Sequence, residues 1–349
     1  MPLYKTLISK IMTTINMNGW KNIFYVATKT LSYYGTATAL SVSRYSCAGV
    51  PVGDYALFGG GYIPSDSAVV DSYNLSLTKG TPTELSTPAY RPAVGTVGGY
   101  ALFAGGRALG DGTNVVNAYD TSLTRSTPTA LSDSRRYLAG SETIDYALFG
   151  GGYNISNVVD AYNSSLTRST PTALSVSRYA LTATKINGYV LFAGGNNGST
   201  SQATVDAYDN SLTRSTPTGL SVARQFLDST YNNNYALFAG GQTSSSISTV
   251  VDAYNSSLTR STPTSLETNI YFSGASSFGD YALFAGGAGI SDIPTDKCNV
   301  YDSSLTKTNA TSLSLARSDL GTCKIGNYIV FAGGYTTSAS SVVDVYQYV

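Results

Sequence analysis

The sequence YALFAGG, at Tyr100–Gly106, decides the fold of this chain. The motif stands unchanged three times and in close variants four more times. Its seven copies begin at Tyr55, Tyr100, Tyr146, Tyr189, Tyr235, Tyr281 and Tyr328. The first tyrosines are therefore 45, 46, 43, 46, 46 and 47 residues apart. Such regular spacing predicts a structural repeat, in which similar units share one extended core across the 349 residues.

One internal unit, from Arg178 to Ala223, predicts four short strands. We place strand A at Tyr179–Ile186, strand B at Tyr189–Ala193, strand C at Ala203–Tyr208 and strand D at about Thr213–Leu220. Strand B is apolar on both of its alternating faces, so both faces must be covered. We interpret it as the inner, doubly buried strand of its sheet. Gly194-Gly195 then turns the chain where a Cβ atom would obstruct packing. Four strands in every 45 or so residues predict the blade of a β-propeller.

The chain begins and ends this pattern in the middle of a unit. GTATALSVSR (Gly35–Arg44) matches the end of an internal unit, and VVDVYQYV (Val342–Val349) stops after strand C. We therefore predict that a strand near Tyr33–Leu40 supplies strand D of the last blade. This strand would close a ring of seven blades over residues 20–349 and leave no long exposed sheet edge.

Residues 1–19 follow a different pattern. Their apolar side chains recur at helical spacing and predict a short amphipathic helix that ends near Asn18-Gly19. Either this helix covers part of the propeller, or residues 1–18 dock on another chain. Polar residues interrupt the apolar ones, so we predict no signal peptide. The sequence contains no run of about 18 apolar residues, so we predict no transmembrane helix.

The composition restricts the chemistry. The chain contains no histidine, the usual general base near neutral pH and the commonest metal ligand, so His-based catalytic triads are excluded. We expect no metal and no cofactor. The 21 Lys and Arg residues balance the 21 Asp and Glu residues, so there is no basic excess for nucleic acid or an anionic membrane.

Several features together resemble the kelch repeat: an apolar strand ending in Gly-Gly, a loop, a strand ending in Tyr-Asp or Tyr-Asn, and an Arg before the next unit. One set is Gly194-Gly195, Tyr208-Asp209 and Arg224. Kelch units usually carry a Trp on the fourth strand, whereas Leu212 and its counterparts in SLTRSTPT take that place here. The resemblance implies a divergent, kelch-like, seven-bladed propeller over about residues 20–349. Galactose oxidase, a kelch-related copper enzyme, needs histidine ligands, so its activity is not implied.

Two sets of charged residues recur. An Asp or Asn on strand C is followed eight residues later by Arg or Lys, as in Asp206 and Arg214, and we interpret this pair as structural. An Arg also precedes strand A in most units, often followed by an aromatic residue. The D–A and B–C connections emerge on one face, so these residues are expected to line one mouth of the channel. In kelch propellers that face commonly binds partners. Alternatively, each Arg bonds backbone carbonyls between blades.

Arg and Tyr dominate binding hot spots, which makes this second set the candidate site. The candidate ligand-binding residues are Arg44, Tyr45, Tyr90, Arg91, Arg135, Arg178, Tyr179, Arg224, Tyr271 and Arg317. The B–C loops differ between units while the strands recur almost unchanged, which fits either a recognition surface on a rigid scaffold or simple drift of solvent-exposed loops.

We hypothesise a non-enzymatic recognition or structural module that binds a protein or a glycan through the B–C and D–A loops. We expect it to belong to a larger assembly, such as a phage or virion fibre or a cell-surface adhesin, and to be virion-associated or cytoplasmic. One alternative is a carbohydrate-active enzyme that uses channel carboxylates, with Glu142, Asp145, Asp228 and Asp280 as candidates. A second alternative is an intracellular kelch-type interaction scaffold.

Overall fold

A computed structural model describes residues 30–349, which form seven four-stranded antiparallel sheets arranged as the blades of a propeller. The predicted all-β, seven-bladed architecture is confirmed. The helix predicted for residues 1–19, its docking on another chain and the domain boundary at residue 20 lie outside the described residues.

The strands are named A to D within blades 1 to 7. Strand A comprises Ala48–Val52, Ala93–Val97, Ala139–Glu142, Thr182–Ile186, Asp228–Tyr231, Gly274–Phe278 and Gly321–Ile325. Strand B comprises Tyr55–Gly59, Tyr100–Ala104, Ala147–Gly150, Tyr189–Ala193, Ala236–Ala239, Tyr281–Ala285 and Tyr328–Ala332. Strand C comprises Val70–Asn74, Val116–Tyr119, Val159–Tyr162, Val205–Tyr208, Val251–Tyr254, Cys298–Tyr301 and Val343–Tyr348. Strand D comprises Lys79–Gly80, Arg125–Ser126, Arg168–Ser169, Arg214–Ser215, Arg260–Ser261, Lys307–Asn309 and, in blade 7, Leu31–Thr36. Additional short elements are a hairpin of Arg107–Ala108 with Asp111–Gly112 and a 3-10 helix at Ile290–Asp292.

The ring closes through the two ends of the described chain. Leu31–Thr36 pairs antiparallel with Val343–Tyr348, with Leu31 opposite Tyr348, and so completes blade 7. This confirms the predicted closure, although the strand begins and ends a few residues earlier than Tyr33–Leu40. The incomplete last repeat would leave strand C of blade 7 with an unpaired edge, and Leu31–Thr36 pairs with that edge.

Strand A, and not strand B, lies nearest the axis. The A strands of neighbouring blades contact one another around the whole ring. In blade 1, a Cβ atom on Gly49 would lie 2.2 Å from the carbonyl oxygen of Thr322 in blade 7, so only glycine permits this approach. Strand B, which carries the repeated motif, is the second strand from the axis and is buried on both faces as predicted.

Each hydrophobic core lies between two blades. Seven clusters join blades 1–2, 2–3 and so on round to 7–1. The Phe of strand B packs edge-on against the Tyr of strand C, as Phe192 does against Tyr208 at 5.8 Å. The hydroxyl of that Tyr donates to a Thr carbonyl in the preceding connection, which for Tyr208 is Thr172 at 2.7 Å. The repeated Phe and Tyr thus hold adjacent blades together.

Two predicted strands are shorter in the structure. In blade 4, strand A begins at Thr182 because Ala180 has a positive φ of 53°, which breaks the extended backbone before it. Strand D covers only Arg214–Ser215, and Pro217 follows it.

The D–A and B–C connections lie on one face of the propeller, as predicted. In blade 4, Tyr179 of the D–A connection forms a β-bridge with Asn196 of the B–C connection. We call this face the loop face, and we call the opposite end, formed by the A–B and C–D turns, the turn face.

Candidate functional site

The five arginines that precede strand A lie inside their blades. Arg44, Arg135, Arg178, Arg224 and Arg317 are all 0% exposed, and each is paired with the Asp on strand C of its own blade. In blade 4, Nη1 of Arg178 lies 2.8 Å from Oδ2 of Asp206, and Nη2 donates to the Phe192 carbonyl at 3.1 Å. Contrary to the sequence-based expectation, these five side chains therefore do not line the channel mouth. They do bond backbone carbonyls, but within the blade.

Blades 2 and 6 indicate that the buried Arg and Asp form one structural unit. Ala89 and Ile270 replace the Arg in these two blades, and Asn117 and Asn299 replace the Asp. Every blade that keeps the Arg keeps the Asp. A lone buried charge is costly, so the two positions change together and the buried charge cancels in each blade. This coincidence is visible in the sequence, but sequence reasoning treated the two positions as separate patterns.

The strand C carboxylate also fixes the connection that leads into its own blade. Oδ1 of Asp206 accepts the backbone N–H of Ser175 at 3.0 Å, and Oδ1 of Asn117 accepts that of Ser86 at 2.8 Å, so Asn preserves this bond. The Arg eight residues later is a more distant partner, with Nε of Arg214 3.8 Å from Oδ1 of Asp206. The structural interpretation of this repeated pair is therefore confirmed.

Arg91 occupies the channel mouth at the loop face. Its guanidinium forms an ion pair with Asp319 of blade 7, and its Nε donates to Ser46 of blade 1 at 3.1 Å. The guanidinium carbon also lies 3.6 Å from the ring centroid of Phe272 in blade 6. One side chain from blade 2 thus reaches three other blades by charge, hydrogen bonding and cation–π contact. Arg91 is 18% exposed and acts as a plug across the mouth.

Arg91 and six equivalent residues of the other blades form a collar with left-handed backbone. Each lies two residues after the Arg position of its blade and has φ between 51° and 57°: Ser46, Arg91, Tyr137, Ala180, Phe226, Phe272 and Asp319. Such φ values cost about 1–3 kcal/mol per non-glycine residue. Backbone hydrogen bonds between adjacent collar residues help to hold them, as when Arg91 N–H donates to Ser46 at 3.1 Å.

A cavity of about 190 Å³ adjoins the collar, bounded by Arg91, Phe226, Phe272, Thr182 and Asp228, among others. Asp228 is the first residue of strand A in blade 5, where the other blades have Ala, Thr or Gly. Its Oδ2 accepts a hydrogen bond from Ser273 at 2.8 Å. Burial raises the pKa of this carboxyl to about 7, although the hydrogen bonds from Ser273 oppose the rise.

We predict that Asp228→Asn stabilises the protein at pH 8 but not at pH 4. The folded pKa of about 7 lies above the ordinary 3.8, so between these values the folded state holds a proton that the unfolded state has lost. The carboxyl therefore makes the free energy of unfolding fall as pH rises from about 4 to about 7, and Asn removes that loss. Denaturant unfolding at both pH values measures the effect, with exposed Asp54→Asn as the control. An equal difference from wild type at both pH values contradicts the prediction.

Tyrosines from three blades form one cluster on the loop face. Tyr45 lies 5.1 Å from Tyr335, 5.4 Å from Tyr62 and 6.2 Å from Tyr90 between ring centroids. The guanidinium of Arg107 stacks 4.5 Å from the Tyr90 centroid. Two of the candidate residues, Tyr45 and Tyr90, are thus brought together, and Tyr62, Tyr335 and Arg107 of the B–C loops join them. Each of these three directly follows the Gly-Gly pair of its repeat, but sequence reasoning missed them because that position holds Tyr in only three blades and a different residue in each of the other four.

The two other candidate tyrosines lie apart from this cluster. Tyr179 packs 5.3 Å from Tyr153, and the guanidinium of Arg136 lies 4.3 Å from the Tyr153 centroid. Tyr271 is mostly buried and donates its hydroxyl to Asp292. The candidate residues therefore fall into three groups: five buried arginines, Arg91 at the channel mouth, and four tyrosines of the loop face.

The B–C loops also expose large apolar side chains. Among residues 30–349, six of the twelve exposed large apolar residues lie in these loops: Leu109, Tyr153, Ile155, Ile290, Ile293 and Tyr335. They belong to blades 2, 3, 6 and 7, and the tyrosine cluster connects them through blade 1. The B–C loops of blades 4 and 5 expose no such residue. We call this apolar and aromatic band over blades 6, 7, 1, 2 and 3 the loop-face arc.

The four carboxylates considered for enzymatic chemistry are dispersed. Glu142 pairs with Lys185 and lines a cavity at the turn face, whereas Asp228 lines the smaller cavity beside the collar. Asp145 is bonded to Asn210, and Asp280 accepts a hydrogen bond from Asn233. The two that line cavities therefore line different ones.

Comparisons with known proteins found no match to this chain: no protein-family model matches it, and no curated protein matches it. Within residues 30–349 there is no cluster of three or more Cys, Asp or Glu side chains suited to a metal ion. The same part of the chain has no helix long and apolar enough to cross a membrane.

Proposed function

We propose that this chain is a non-enzymatic recognition module that binds a protein partner through the loop-face arc. The observation that carries the proposal is the exposure of apolar side chains at the loop tips, where Leu109 is 93% exposed, Ile290 70% and Ile293 66%. Large exposed apolar patches on a folded protein mark interaction sites. A protein interface needs an apolar and aromatic centre of this kind with polar surroundings.

The tyrosine cluster supports a protein partner at the centre of the arc. Tyrosine offers a large apolar area with little loss of conformational entropy on binding, because it has few rotatable bonds. The rings of Tyr45, Tyr62, Tyr90 and Tyr335 are already packed against each other, so the surface is pre-organised. Arg107, held by Asp66 at 2.7 Å, adds a polar group at a fixed position. Pre-organisation reduces the cost of association.

The sequence pattern supports a kelch-like relation and attachment to a larger assembly. The buried Arg, the Gly-Gly pair after strand B and the Tyr that ends strand C support a kelch-like relation. The amphipathic pattern of residues 1–18 supports attachment to a larger assembly, such as a virion fibre or a cell-surface adhesin. The dispersed, individually bonded carboxylates favour a non-enzymatic role, since glycoside hydrolysis needs two of them in one site.

Four loop-tip substitutions test the proposal. Leu109, Ile155, Ile290 and Ile293 are changed together to Ser, and Ile144→Ser, at an 80% exposed position of the turn face, is the matched control. Proteins captured by the wild type from the natural source are quantified against both variants, and each candidate is then purified and its binding measured directly. We expect at least one partner whose affinity falls tenfold or more with the loop variant and is unchanged with the control.

Two outcomes reject this proposal. A glycan array whose signal is lost with the loop variant, without any purified protein partner, favours a glycan ligand on the same face. Equal binding of all partners by the wild type, the loop variant and the control removes the loop-face arc as the binding surface.

A further inference from the structure

A second cavity opens at the turn face, away from the loop-face arc. It has a volume of about 980 Å³ and is lined by the ends of strand A and the A–B turns of blades 1 to 5. Small-molecule sites are concave and measure roughly 300–1,000 Å³. The size therefore suits a molecule larger than a single metabolite fragment, and the concave shape differs from the exposed loop tips of the other face.

One position of strand A gives this cavity its chemistry. It pairs with the second residue of the YALFAGG motif, which is Ala, Val or Ile in all seven blades. Its occupants in blades 1 to 7 are Pro51, Thr96, Glu142, Lys185, Tyr231, Ser277 and Lys324. Six different residue types face nearly constant partners, so the fold does not dictate them. Five of them, from Pro51 in blade 1 to Tyr231 in blade 5, line the cavity in consecutive blades.

Three of these residues form a connected polar wall. Nζ of Lys185 lies 2.6 Å from Oε1 of Glu142 and 5.0 Å from the ring centroid of Tyr231. Burial by itself lowers the pKa of Lys185, but Glu142 and Tyr231 more than offset this effect, so the ammonium stays charged. Both partners remain partly accessible, with side-chain exposures of 35% for Lys185 and 21% for Glu142.

We propose that this turn-face cavity binds a neutral saccharide. Among residues 30–349, Glu142 and Lys185 are the only charged residues that line it, so the described wall carries no net charge and selects neither anions nor cations. A carboxylate accepts up to about four hydrogen bonds and an ammonium donates three, which leaves capacity for the hydroxyls of a sugar beyond their own contact. Tyr231 adds an apolar ring face beside them, and Tyr100, Tyr189 and Tyr235 add further rings at the rim.

A panel of neutral sugars tests this site on the full chain. Glucose, galactose, mannose, N-acetylglucosamine and their disaccharides are screened by saturation-transfer NMR, and hits are titrated by calorimetry, with phosphate and citrate as anionic probes. We expect at least one neutral sugar to bind. Tyr231→Ala and Glu142→Gln should each weaken it at least tenfold. Lys324→Met, at the equivalent position of blade 7 outside the cavity lining, should leave the affinity unchanged.

A charge exchange separates binding from folding. The double variant Glu142→Lys with Lys185→Glu keeps an ion pair between blades 3 and 4 but moves the carboxylate, so it should retain the thermal unfolding midpoint and lose the sugar. If Tyr231→Ala fails to fold, this double variant still tests whether the cavity binds the sugar. The proposal is overturned if no neutral sugar binds at tens of millimolar, if only the anionic probes bind, or if sugar binding survives the cavity variants. The loop-tip variant of the proposed function should bind the sugar normally, so the two proposals fail independently.

Discussion

Asp206→Asn is expected to lower the free energy of unfolding by about 3–5 kcal/mol, because it leaves Arg178 as an uncompensated charge inside blade 4. Both side chains are 0% exposed, and Asp206 supplies the negative charge 2.8 Å from the guanidinium. Burial already lowers the pKa of Arg178, and Asp206 is the main influence that opposes this effect. Asn retains an oxygen for the Ser175 N–H, so the loss measured by denaturant unfolding reports the charge and not the hydrogen bond.

The chain supplies its own control for this experiment. Blade 6 carries Ile270 and Asn299 at the same positions. The double variant Arg178→Ile with Asp206→Asn copies that neutral pair into blade 4 and should be more stable than Asp206→Asn alone. The reverse change, Asn299→Asp, places a buried carboxylate without its Arg and should destabilise blade 6 more at pH 8 than at pH 4. A cost below about 1 kcal/mol for Asp206→Asn, or a double variant no more stable than the single one, would contradict this role of the buried ion pair.

The repeated parts of the fold were predictable because they are dictated by burial. Strand B of blade 4 lies at Tyr189–Ala193 as predicted, since a run that is apolar on both faces has one place in a stacked ring of sheets. The closing strand was predictable from the incomplete last repeat, because an unpaired strand edge is unfavourable. The start of strand A was not, because the left-handed backbone of Ala180 arises from contacts between blades.

The candidate site was predicted less well than the fold. A repeated Arg beside a repeated aromatic suggested a binding surface, but repetition in a propeller mostly reports structural needs. Arg178 repeats because each blade encloses the same ion pair, whereas Arg91 stands outside that series and plugs the channel. The side chains that distinguish one blade from another, such as Leu109 and Lys185, carry the functional proposals. The repeated and the blade-specific side chains differ in burial, and the sequence alone does not show whether an arginine side chain is buried.

Phe192→Ala is expected to cost about 3–5 kcal/mol in the free energy of unfolding and to leave binding unchanged in the folded protein. Phe192 is 0% exposed and lies in the core between blades 3 and 4 with Leu148 and Val159. Its ring also fills the space beside Gly150, where a Cβ atom would come within 2.8 Å of it. Close packing on both faces leaves little room for the surrounding side chains to collapse into the vacated volume, which places the cost near the upper part of the range for large-to-small substitutions.

Phe192→Leu is the graded control, since it keeps most of the apolar volume and should recover part of the loss. The exposed Ile144→Ala should leave the unfolding midpoint unchanged, because its side chain is 80% exposed at the turn face. Partner and sugar binding are measured under conditions where each variant is fully folded. Because Phe192 lies inside the blade contact and away from both proposed surfaces, normal stability combined with abolished binding would assign the repeated motif to recognition and reject its role as the core strand of each blade.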